Sequence, residues 1–238
     1  MIGHFAKDQL IVDGHAETAS GGGVYYGSIA LRQLGLRVAV VTRLHPDDFP
    51  RLGEMRQAGA PGGVTVFATP APATSGIANY YNSQDMERRI CKPLGFAGPF
   101  TRADIAAALE SLGPPRAIII ASIIAGEVDL PLLKWLATEA INPPSTGGQQ
   151  SETLPNGGVS VGDLTQRVGN GGGSVEDLAQ REGIGRRSHP TWGGIGLDVQ
   201  GFIRVREGDD LVFRPWETMA EALSYITYLK ADRAEAES

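Results

Sequence analysis

The stretch that decides the fold reads SGGGVYYGSIALRQLG over residues 20–35, and one residue later RVAVVT over residues 37–42. Apolar residues at helical spacing predict a helix over 24–34, which Gly35 ends. The almost continuous apolar run of 37–42 is typical of a parallel strand that is buried on both faces. Three glycines before a helix let the backbone approach a ligand closely, although a tight turn into a helix uses the same residues. The stretch matches neither GxxxxGK[ST] nor GxGxxG.

Strand and helix patterns alternate along the rest of the chain. The predicted strands are 2–5, 9–12, 37–42, 64–68, 116–121, 195–199 and 225–230. A hairpin is predicted at 77–91, and a hairpin-like stretch follows the strand at 195–199 and ends at residue 213. The predicted helices are 24–34, 47–58, 101–112, 130–140 and 217–224. This alternation predicts an α/β fold with a mostly parallel sheet.

Composition and charge narrow the class of protein. The 238 residues include 21 basic and 27 acidic side chains, a net charge of −6, which argues against a nucleic-acid binder. No apolar run approaches the roughly 20 residues that cross a bilayer, and the first residues do not resemble a secretory signal. Cys91 is the single cysteine and forms no internal disulfide. We therefore expect a cytoplasmic protein that binds neither nucleic acid nor membrane.

Residues 142–194 differ from the rest in composition. They are rich in Gly, Pro, Ser and Gln, and they contain a short repeat, SVGDLTQRVG at 160–169 and SVEDLAQREG at 174–183. The composition favours a linker with marginal helicity, while the alternative is half of a helix-turn-helix in which Arg186 and Arg187 touch phosphate. The predicted organisation is thus a core of 1–141, this insert, and a return to the core at 195–238. The insert connects a helix to a strand, so we expect it at the sheet edge away from ligands.

Several segments agree in order with one family. A glycine turn, a helix ending in Leu34-Gly35, an apolar strand and the acids Asp47 and Asp48 come first. The hairpin sequence SGIANYYNSQDMERRI and the later segments 198–204 and 229–235 follow. This order resembles the PfkB, or ribokinase-like, carbohydrate and nucleoside kinases. The resemblance implies a doubly wound sheet with a small β lid, at about 69–100, and ATP-dependent phosphoryl transfer to a sugar hydroxyl.

The resemblance implies four substrate-binding residues. Asp8 would accept hydrogen bonds from substrate hydroxyls, which suits a carboxylate because it is acceptor-only. Gly21 and Gly22 would let the turn sit against the sugar. Tyr26 stands where the family often has an Asn, and would stack on a ring or contact a hydroxyl. The alternatives are a strand-end acid for Asp8 and a core aromatic for Tyr26.

The resemblance also implies a magnesium-binding pair. Asp232 and Glu235 stand where the family has Asn-x-x-Glu, and carboxylate oxygens suit Mg²⁺. The alternative is a pair of acids on a solvated helix face. Asp47 and Asp48 correspond to the family's acidic pair, although Pro46 replaces the usual Gly, and helix capping explains them equally well.

One family motif is missing from these residues. No Asp-Thr-x-Gly-Ala-Gly-Asp stretch occurs, and in the family this stretch holds the transferring phosphate and supplies the catalytic base. We therefore expect no catalytic residue here, no site for ATP, and an incomplete kinase chain with little activity alone. The alternative is a non-catalytic sugar-binding or protein-interaction module derived from a kinase. The expected partner is a small-molecule sugar or nucleoside. Because lids in this family often pair between subunits, the resemblance also points to a homodimer through the lid.

Overall fold

The computed structural model describes residues 1–57, 63–141 and 194–236. The strands are β1 (Ala6–Val12), β2 (His15–Gly21), β3 (Ala39–Leu44), β4 (Thr65–Pro70), β5 (Gly76–Asn82), β6 (Asp85–Gly95), β7 (Ile118–Ile120), β8 (Ile195–Asp198), β9 (Arg204–Glu207), β10 (Asp210–Phe213) and β11 (Tyr228–Lys230). The α-helices are α1 (Gly23–Gln33), α2 (Gly53–Gln57), α3 (Arg102–Leu112), α4 (Leu130–Trp135), α5 (Gln200–Ile203), α6 (Met219–Ala222) and α7 (Arg233–Ala236). A 3₁₀ helix (Pro46–Leu52) precedes α2, another (Leu223–Tyr225) follows α6, and a π-helical turn (Leu136–Ala140) continues α4. The insert predicted at 142–194, with its repeat and Arg186 and Arg187, falls outside the described residues, apart from Gly194.

The main sheet is parallel, and the N-terminal segment joins its two halves. Strands β3 and β4 pair on one side, and β7, β8 and β11 pair on the other. Ile2 bridges both halves, in parallel to Val41 and to Ile120, with its N–H donating to the Ile119 carbonyl at 2.8 Å. The strand order is therefore β4, β3, the Ile2 segment, β7, β8, β11. The predicted strand at 2–5 is wrong in extent, because only Ile2 pairs and the next strand begins at Ala6.

Helices cover both faces of this sheet, as a doubly wound fold requires. Neighbouring residues of β3 point to opposite faces. Val40 packs with α1 and α2 in one buried cluster, whereas Val41 packs with α3 and α4 in another. The predicted α/β class with a mostly parallel sheet is confirmed, and the predicted helices over 24–34 and 101–112 match α1 and α3 closely.

A second sheet has four strands in the order β2-β1-β5-β6. Strands β1 and β5 are parallel, and the other two pairs are antiparallel. The hairpin predicted at 77–91 is present as β5 and β6. The sheet also takes in residues 6–21, outside the lid expected at 69–100, because the polar sequence HAETASG of β2 carries no strand-like alternation of apolar residues.

Candidate functional site

The glycine turn joins the two sheets at the carboxyl end of the parallel strands. Gly22 has a φ of +91°, and a Cβ there would lie 2.6 Å from the His4 carbonyl oxygen. A Cβ at Gly23 would lie 2.8 Å from Ala121 Cβ, just after β7 ends. Only glycine combines this backbone conformation with this approach, so the triplet fixes the start of α1 against β7.

Asp8 and Gly21 lie directly against each other in the second sheet. A Cβ on Gly21 would overlap Asp8 Oδ2, so the missing side chain makes room for the carboxylate. Asp8 Oδ1 accepts a hydrogen bond from the Ile77 N–H at 2.8 Å, while Oδ2 accepts none from any residue that the structure describes. The structure thus brings together two of the predicted substrate-binding residues and leaves one carboxylate oxygen open.

Opposing effects act on the pKa of Asp8. Burial raises the pKa of its carboxyl, and the Ile77 N–H and the guanidinium groups of Arg204 and Arg89 oppose that rise. A half-buried carboxylate with an open oxygen and two cations in electrostatic range is suited to accept hydrogen bonds from hydroxyl groups.

Tyr26 does not belong to the core. Its side chain is 62 % exposed, so the core-aromatic alternative is wrong. Its hydroxyl lies 3.4 Å from the Ser20 carbonyl oxygen, immediately before the glycine triplet, and its ring packs edge-to-face on Tyr25. Its contact with a substrate stays a prediction.

Asp232 and Glu235 form a reciprocal helix cap. The Glu235 N–H donates to Asp232 Oδ1 at 2.8 Å, and the Asp232 N–H donates to Glu235 Oε2 at 2.7 Å. Glu235 also accepts from Gln200 Nε2 at 3.1 Å and lies 3.7 Å from Lys230 Nζ. The solvated-face alternative is wrong for Glu235, which is buried.

The donor set at this cap does not build a cation cage. Both Glu235 oxygens and one Asp232 oxygen already accept hydrogen bonds. Across residues 1–57, 63–141 and 194–236, no three His, Cys, Asp or Glu side chains are grouped to hold a metal ion. The helix cap thus engages most of the carboxylate oxygens of the pair, and binding of Mg²⁺ by Asp232 and Glu235 stays a prediction.

Two arginines extend the site beyond the predicted residues. Arg204 begins β9 and is 8 % exposed, and its charge acts on Asp8, Asp198 and Glu235. Arg89 lies on β6 and donates to the Tyr81 hydroxyl at 3.4 Å. Sequence reasoning missed both residues, and the only available signal for Arg204 was a charge directly after the apolar pair Phe202-Ile203.

Comparison with known proteins identifies the architecture. No protein-family model matches the sequence, and no curated protein matches it. Solved structures do match it. A sulfate complex of a pyrophosphate-dependent kinase in the ribokinase family is 28 % identical with a TM-score of 0.67, and covers 99 % of this chain and 62 % of its own. The chain has the ribokinase-like fold.

Two further solved structures with the ribokinase-like fold are similar to this chain. One is a pyrophosphate-dependent kinase in the ribokinase family complexed with a pyrophosphate analogue and myo-inositol, 26 % identical, with a TM-score of 0.68 and coverage of 99 % and 61 %. The other is a pyrophosphate-dependent myo-inositol-1 kinase converted into a myo-inositol-3 kinase by replacing an Asn and a Ser with Leu, 25 % identical, with a TM-score of 0.65 and coverage of 99 % and 60 %. This chain therefore spans about three fifths of the length of these kinases.

Within the ribokinase-like fold, the face of the second sheet that carries Asp8 also carries Asn79 and Cys91. Leu10, two residues beyond Asp8, pairs with Asn79, and Asn79 pairs with Cys91. Paired residues point to one side of a sheet. The Cys91 thiol lies 3.4 Å from Asn79 Oδ1.

The opposite face of β1 is tied to the main sheet. Lys7 Nζ lies 2.9 Å from Asp48 Oδ1, and the Thr74 hydroxyl donates to Asp48 Oδ2 at 2.6 Å. Burial raises the pKa of Asp48, but the bonds from Thr74 and Lys7 outweigh it and hold the pKa below its ordinary value. A cavity of about 360 Å³ lies beside these groups. Because Lys7 and Asp8 point to opposite faces, this cavity is separate from the Asp8 carboxylate.

A buried hydrogen-bond network around Glu127 and His4 stabilises the junction between the two sheets. The fully buried Glu127 carboxylate accepts from the backbone N–H groups of His4, Ile123 and Ile124, at 2.9, 2.6 and 3.1 Å. The His4 ring lies 2.7 Å from Ser75 Oγ through Nδ1 and 2.9 Å from the Gly98 carbonyl through Nε2. Burial lowers the pKa of His4, against the opposing charge of Glu127. The neutral ring donates through Nε2 and accepts at Nδ1, which satisfies both contacts.

In the described residues, no helix has the length and apolarity that crossing a membrane requires.

Proposed function

We propose that this chain holds the acceptor-binding part of a ribokinase-family kinase and that its acceptor is a sugar or a related polyol. The carboxylate of Asp8 carries the proposal: Gly21 makes room for it, and one of its oxygens is open at the junction of the two sheets. The likeness to kinases of at least 25 % identity over 99 % of the chain supports it.

Recognition of the acceptor follows from the chemistry of these groups. A hydroxyl of the polyol donates to Asp8 Oδ2, and the carboxylate favours that donor because it has no proton of its own to offer. Gly21 and Gly22 allow the ring of the polyol to approach the turn, and Tyr26 stacks on it or contacts a hydroxyl.

One structure of similar fold indicates which acceptor to test first. A kinase of similar fold is complexed with myo-inositol, so myo-inositol is the first probe, ahead of ribose and a nucleoside. In a related kinase, replacement of an Asn and a Ser changes which inositol hydroxyl is used. Asn79 and Cys91 are an Asn and a sulfur analogue of Ser on the face of Asp8, and we assign them the choice of acceptor hydroxyl.

The phosphoryl donor is proposed from resemblance alone. The family implies ATP with Mg²⁺, whereas the solved neighbours use pyrophosphate. The Gly-Ala-Gly-Asp stretch that holds the donor in the family does not occur in these 238 residues. We therefore expect the chain to bind the acceptor and, by itself, to transfer phosphate slowly at best, because loss of the general base alone lowers the rate roughly 10²–10⁴-fold.

Titration calorimetry tests the acceptor assignment. The chain is titrated with myo-inositol, D-ribose and adenosine, and then the Asp8→Asn variant with the compound that binds. Loss of a hydrogen bond to a charged group predicts a decrease in affinity of about 10-fold or more. Asp13→Asn is the matched control, because Asp13 lies in the exposed turn between β1 and β2 and, among the described residues, accepts only from Ser83. Equal affinity of Asp8→Asn and the unmodified chain would refute the assignment.

A second candidate is a polyol-binding module without kinase activity. Its supporting observation is the same open Asp8 carboxylate, which can bind a hydroxyl whether or not phosphoryl transfer follows. ³¹P NMR separates the candidates, using the polyol with ATP and Mg²⁺ or with pyrophosphate and Mg²⁺. Formation of a phosphate ester supports the kinase, whereas binding without any ester supports the module.

The remaining assignments are proposals of the same kind. We propose a cytoplasmic protein, with residues 142–194 as an insert in a core of 1–141 and 195–238, and a homodimer through the lid at about 69–100. Light scattering tests the dimer, and deletion of 142–194 with retained polyol affinity would support the division.

A further inference from the structure

A single carboxylate is hydrogen-bonded to residues on both sides of the glycine turn. Glu54, on α2, accepts from the Ser20 hydroxyl at 2.9 Å through Oε1 and from the Tyr25 hydroxyl at 2.7 Å through Oε2. Ser20 directly precedes the glycine triplet, and Tyr25 lies in the first turn of α1, where its N–H donates to the Gly22 carbonyl at 3.1 Å. Because a carboxylate is acceptor-only, each oxygen takes one hydroxyl, and Glu54 restrains both ends of the turn.

Helix α2 is anchored in the core next to this carboxylate. Met55 is fully buried and packs in one cluster with Phe5 and Val24. Val24 directly follows the glycine triplet, so the helix that carries Glu54 and the helix that begins at the turn share this cluster. Close packing of this kind limits the movement of α2. Glu54 therefore restrains the turn from a fixed position.

The hydrogen bond from Tyr25 to Glu54 also changes how the tyrosine titrates. It is the main cause that raises the pKa of the Tyr25 hydroxyl to about 12, and burial acts in the same direction. The hydroxyl thus keeps its proton at neutral pH and remains a donor to the carboxylate.

Ser20 and Tyr25 are also the residues that Tyr26 contacts. The Tyr26 hydroxyl lies 3.4 Å from the Ser20 carbonyl oxygen, and its ring packs edge-to-face on the Tyr25 ring, with 5.0 Å between the centroids. Because the Tyr26 side chain is exposed, its orientation depends on these contacts. Gly21, inside the restrained turn, lies against the Asp8 carboxylate. Movement of the turn would therefore displace groups on both sides of the proposed acceptor site.

We propose that Glu54 is a positioning residue of the acceptor site: through the hydroxyls of Ser20 and Tyr25 it holds the glycine turn and Tyr26 in place, without touching the acceptor itself. The inference rests on the proposed function and deepens it, because it adds a residue that acts on acceptor binding through two others. The order of residues along the chain does not reveal this role, since Glu54 comes 34 residues after Ser20.

Calorimetry with myo-inositol as the probe tests the proposal. Glu54→Ala removes both acceptor oxygens, and we expect affinity to fall roughly 3- to 10-fold, as for the loss of an ordinary hydrogen bond. In a Ser20→Ala/Tyr25→Phe background the carboxylate has no hydroxyl left to hold, so Glu54→Ala should change affinity by less than about 2-fold. Gln57→Ala is the matched control, because Gln57 lies exposed on the same helix.

NMR spectroscopy tests the contact without any ligand. The ¹³C resonance of the Tyr25 ring carbon that bears the hydroxyl, assigned with Tyr25→Phe, should shift in Glu54→Ala at neutral pH, because the hydroxyl loses its charged acceptor. The same resonance should not move in Gln57→Ala. An unchanged resonance in Glu54→Ala would overturn the inference, whatever the chain binds.

The calorimetric outcomes separate the inference from the proposed function. If the chain binds none of myo-inositol, ribose and adenosine, the proposed function fails and the inference falls with it. If it binds and Glu54→Ala binds equally well, only the inference falls. If Glu54→Ala lowers affinity by the same factor in the Ser20→Ala/Tyr25→Phe background, Glu54 acts on the acceptor directly, and the positioning role is overturned.

A second variant covers a failure to fold. If circular dichroism shows Glu54→Ala unfolded, Glu54→Gln replaces it, because the amide keeps one acceptor oxygen and loses the other. We expect a smaller decrease in affinity than for the loss of both oxygens, and unchanged affinity of Glu54→Gln would overturn the inference.

Discussion

Gly21 lies so close to Asp8 that a Cβ at position 21 would overlap the carboxylate oxygen Oδ2. The two residues lie on adjacent antiparallel strands, Gly21 opposite Ala6 and Asp8 opposite Ala19. The Asp8 carboxylate can therefore occupy its observed place only because residue 21 has no side chain. The candidate site depends on this contact.

Replacement of Gly21 by Ala should weaken binding more than it lowers stability. The methyl group displaces the end of the Asp8 side chain, which can turn away, so the free energy of unfolding should fall by less than the roughly 1–3 kcal/mol of overpacking in a core. Urea unfolding and calorimetry with the polyol measure the two effects. Gly53→Ala is the matched control, because its Cβ would meet nothing within 4 Å and its backbone is helical, so it should leave polyol binding unchanged and raise the free energy of unfolding by about 0.5–1 kcal/mol. An unaltered Gly21→Ala protein would show that the contact has no consequence.

Asp8→Asn should stabilise the fold while it weakens ligand binding. Burial raises the pKa of Asp8, so the folded state disfavours the charged form, and the free energy of unfolding decreases as pH rises through the carboxyl's titration range. Asn removes this unfavourable charge and still accepts from the Ile77 N–H. At neutral pH the urea midpoint should be higher than that of the unmodified chain. A lower midpoint would mean that attraction to Arg204 and Arg89 outweighs burial.

The buried His4 predicts a loss of stability in mild acid. Its pKa in the folded state is below the ordinary 6.5, so below that pH the unfolded chain binds more protons than the folded one. The free energy of unfolding should decrease as pH falls from 6.5 toward the folded-state pKa, by up to about 1.4 kcal/mol per pH unit. Urea unfolding between pH 7.5 and pH 5 measures the slope. His4→Gln should flatten it, whereas His45→Gln, in a more exposed position, should not; equal slopes in all three proteins would contradict the assignment.

Glu127→Gln should destabilise the junction of the sheets. An amide in place of the carboxylate directs an N–H₂ group at backbone donors from His4 or from Ile123 and Ile124. A buried donor without an acceptor costs roughly 1–3 kcal/mol. Thermal or urea unfolding measures the loss, with the exposed Glu139→Gln as control. A change no larger than that of the control would show that Glu127 can be replaced without loss of its hydrogen bonds.

The elements that were predictable from sequence are those with strong local signals. The triple Ile of β7 and the apolar run of β3 specify buried parallel strands, and Thr101 with Asp104 specifies the start of α3 through a capping box that the structure contains. Strand β2 was missed because HAETASG is polar, and it pairs with β1 through its backbone rather than through an apolar face.

The candidate site was only partly predictable, for a physical reason. Asp8 and the glycine turn stand in a recognisable order along the chain, whereas Arg204 comes near Asp8 only through tertiary structure, from 196 residues away in sequence. For Asp232 and Glu235 the family resemblance implied a metal-binding pair, whereas in the structure the two residues form a helix cap.

The most direct test of the central claim is the ¹³C NMR titration of the Asp8 side-chain carboxyl, assigned with Asp8→Asn, without and with myo-inositol. Hydroxyl donation stabilises the charged carboxylate, so we predict that the polyol lowers the pKa of Asp8 and shifts its resonance. An Asp8 resonance and pKa that remain unchanged while calorimetry shows the polyol bound would contradict the account and place the ligand elsewhere.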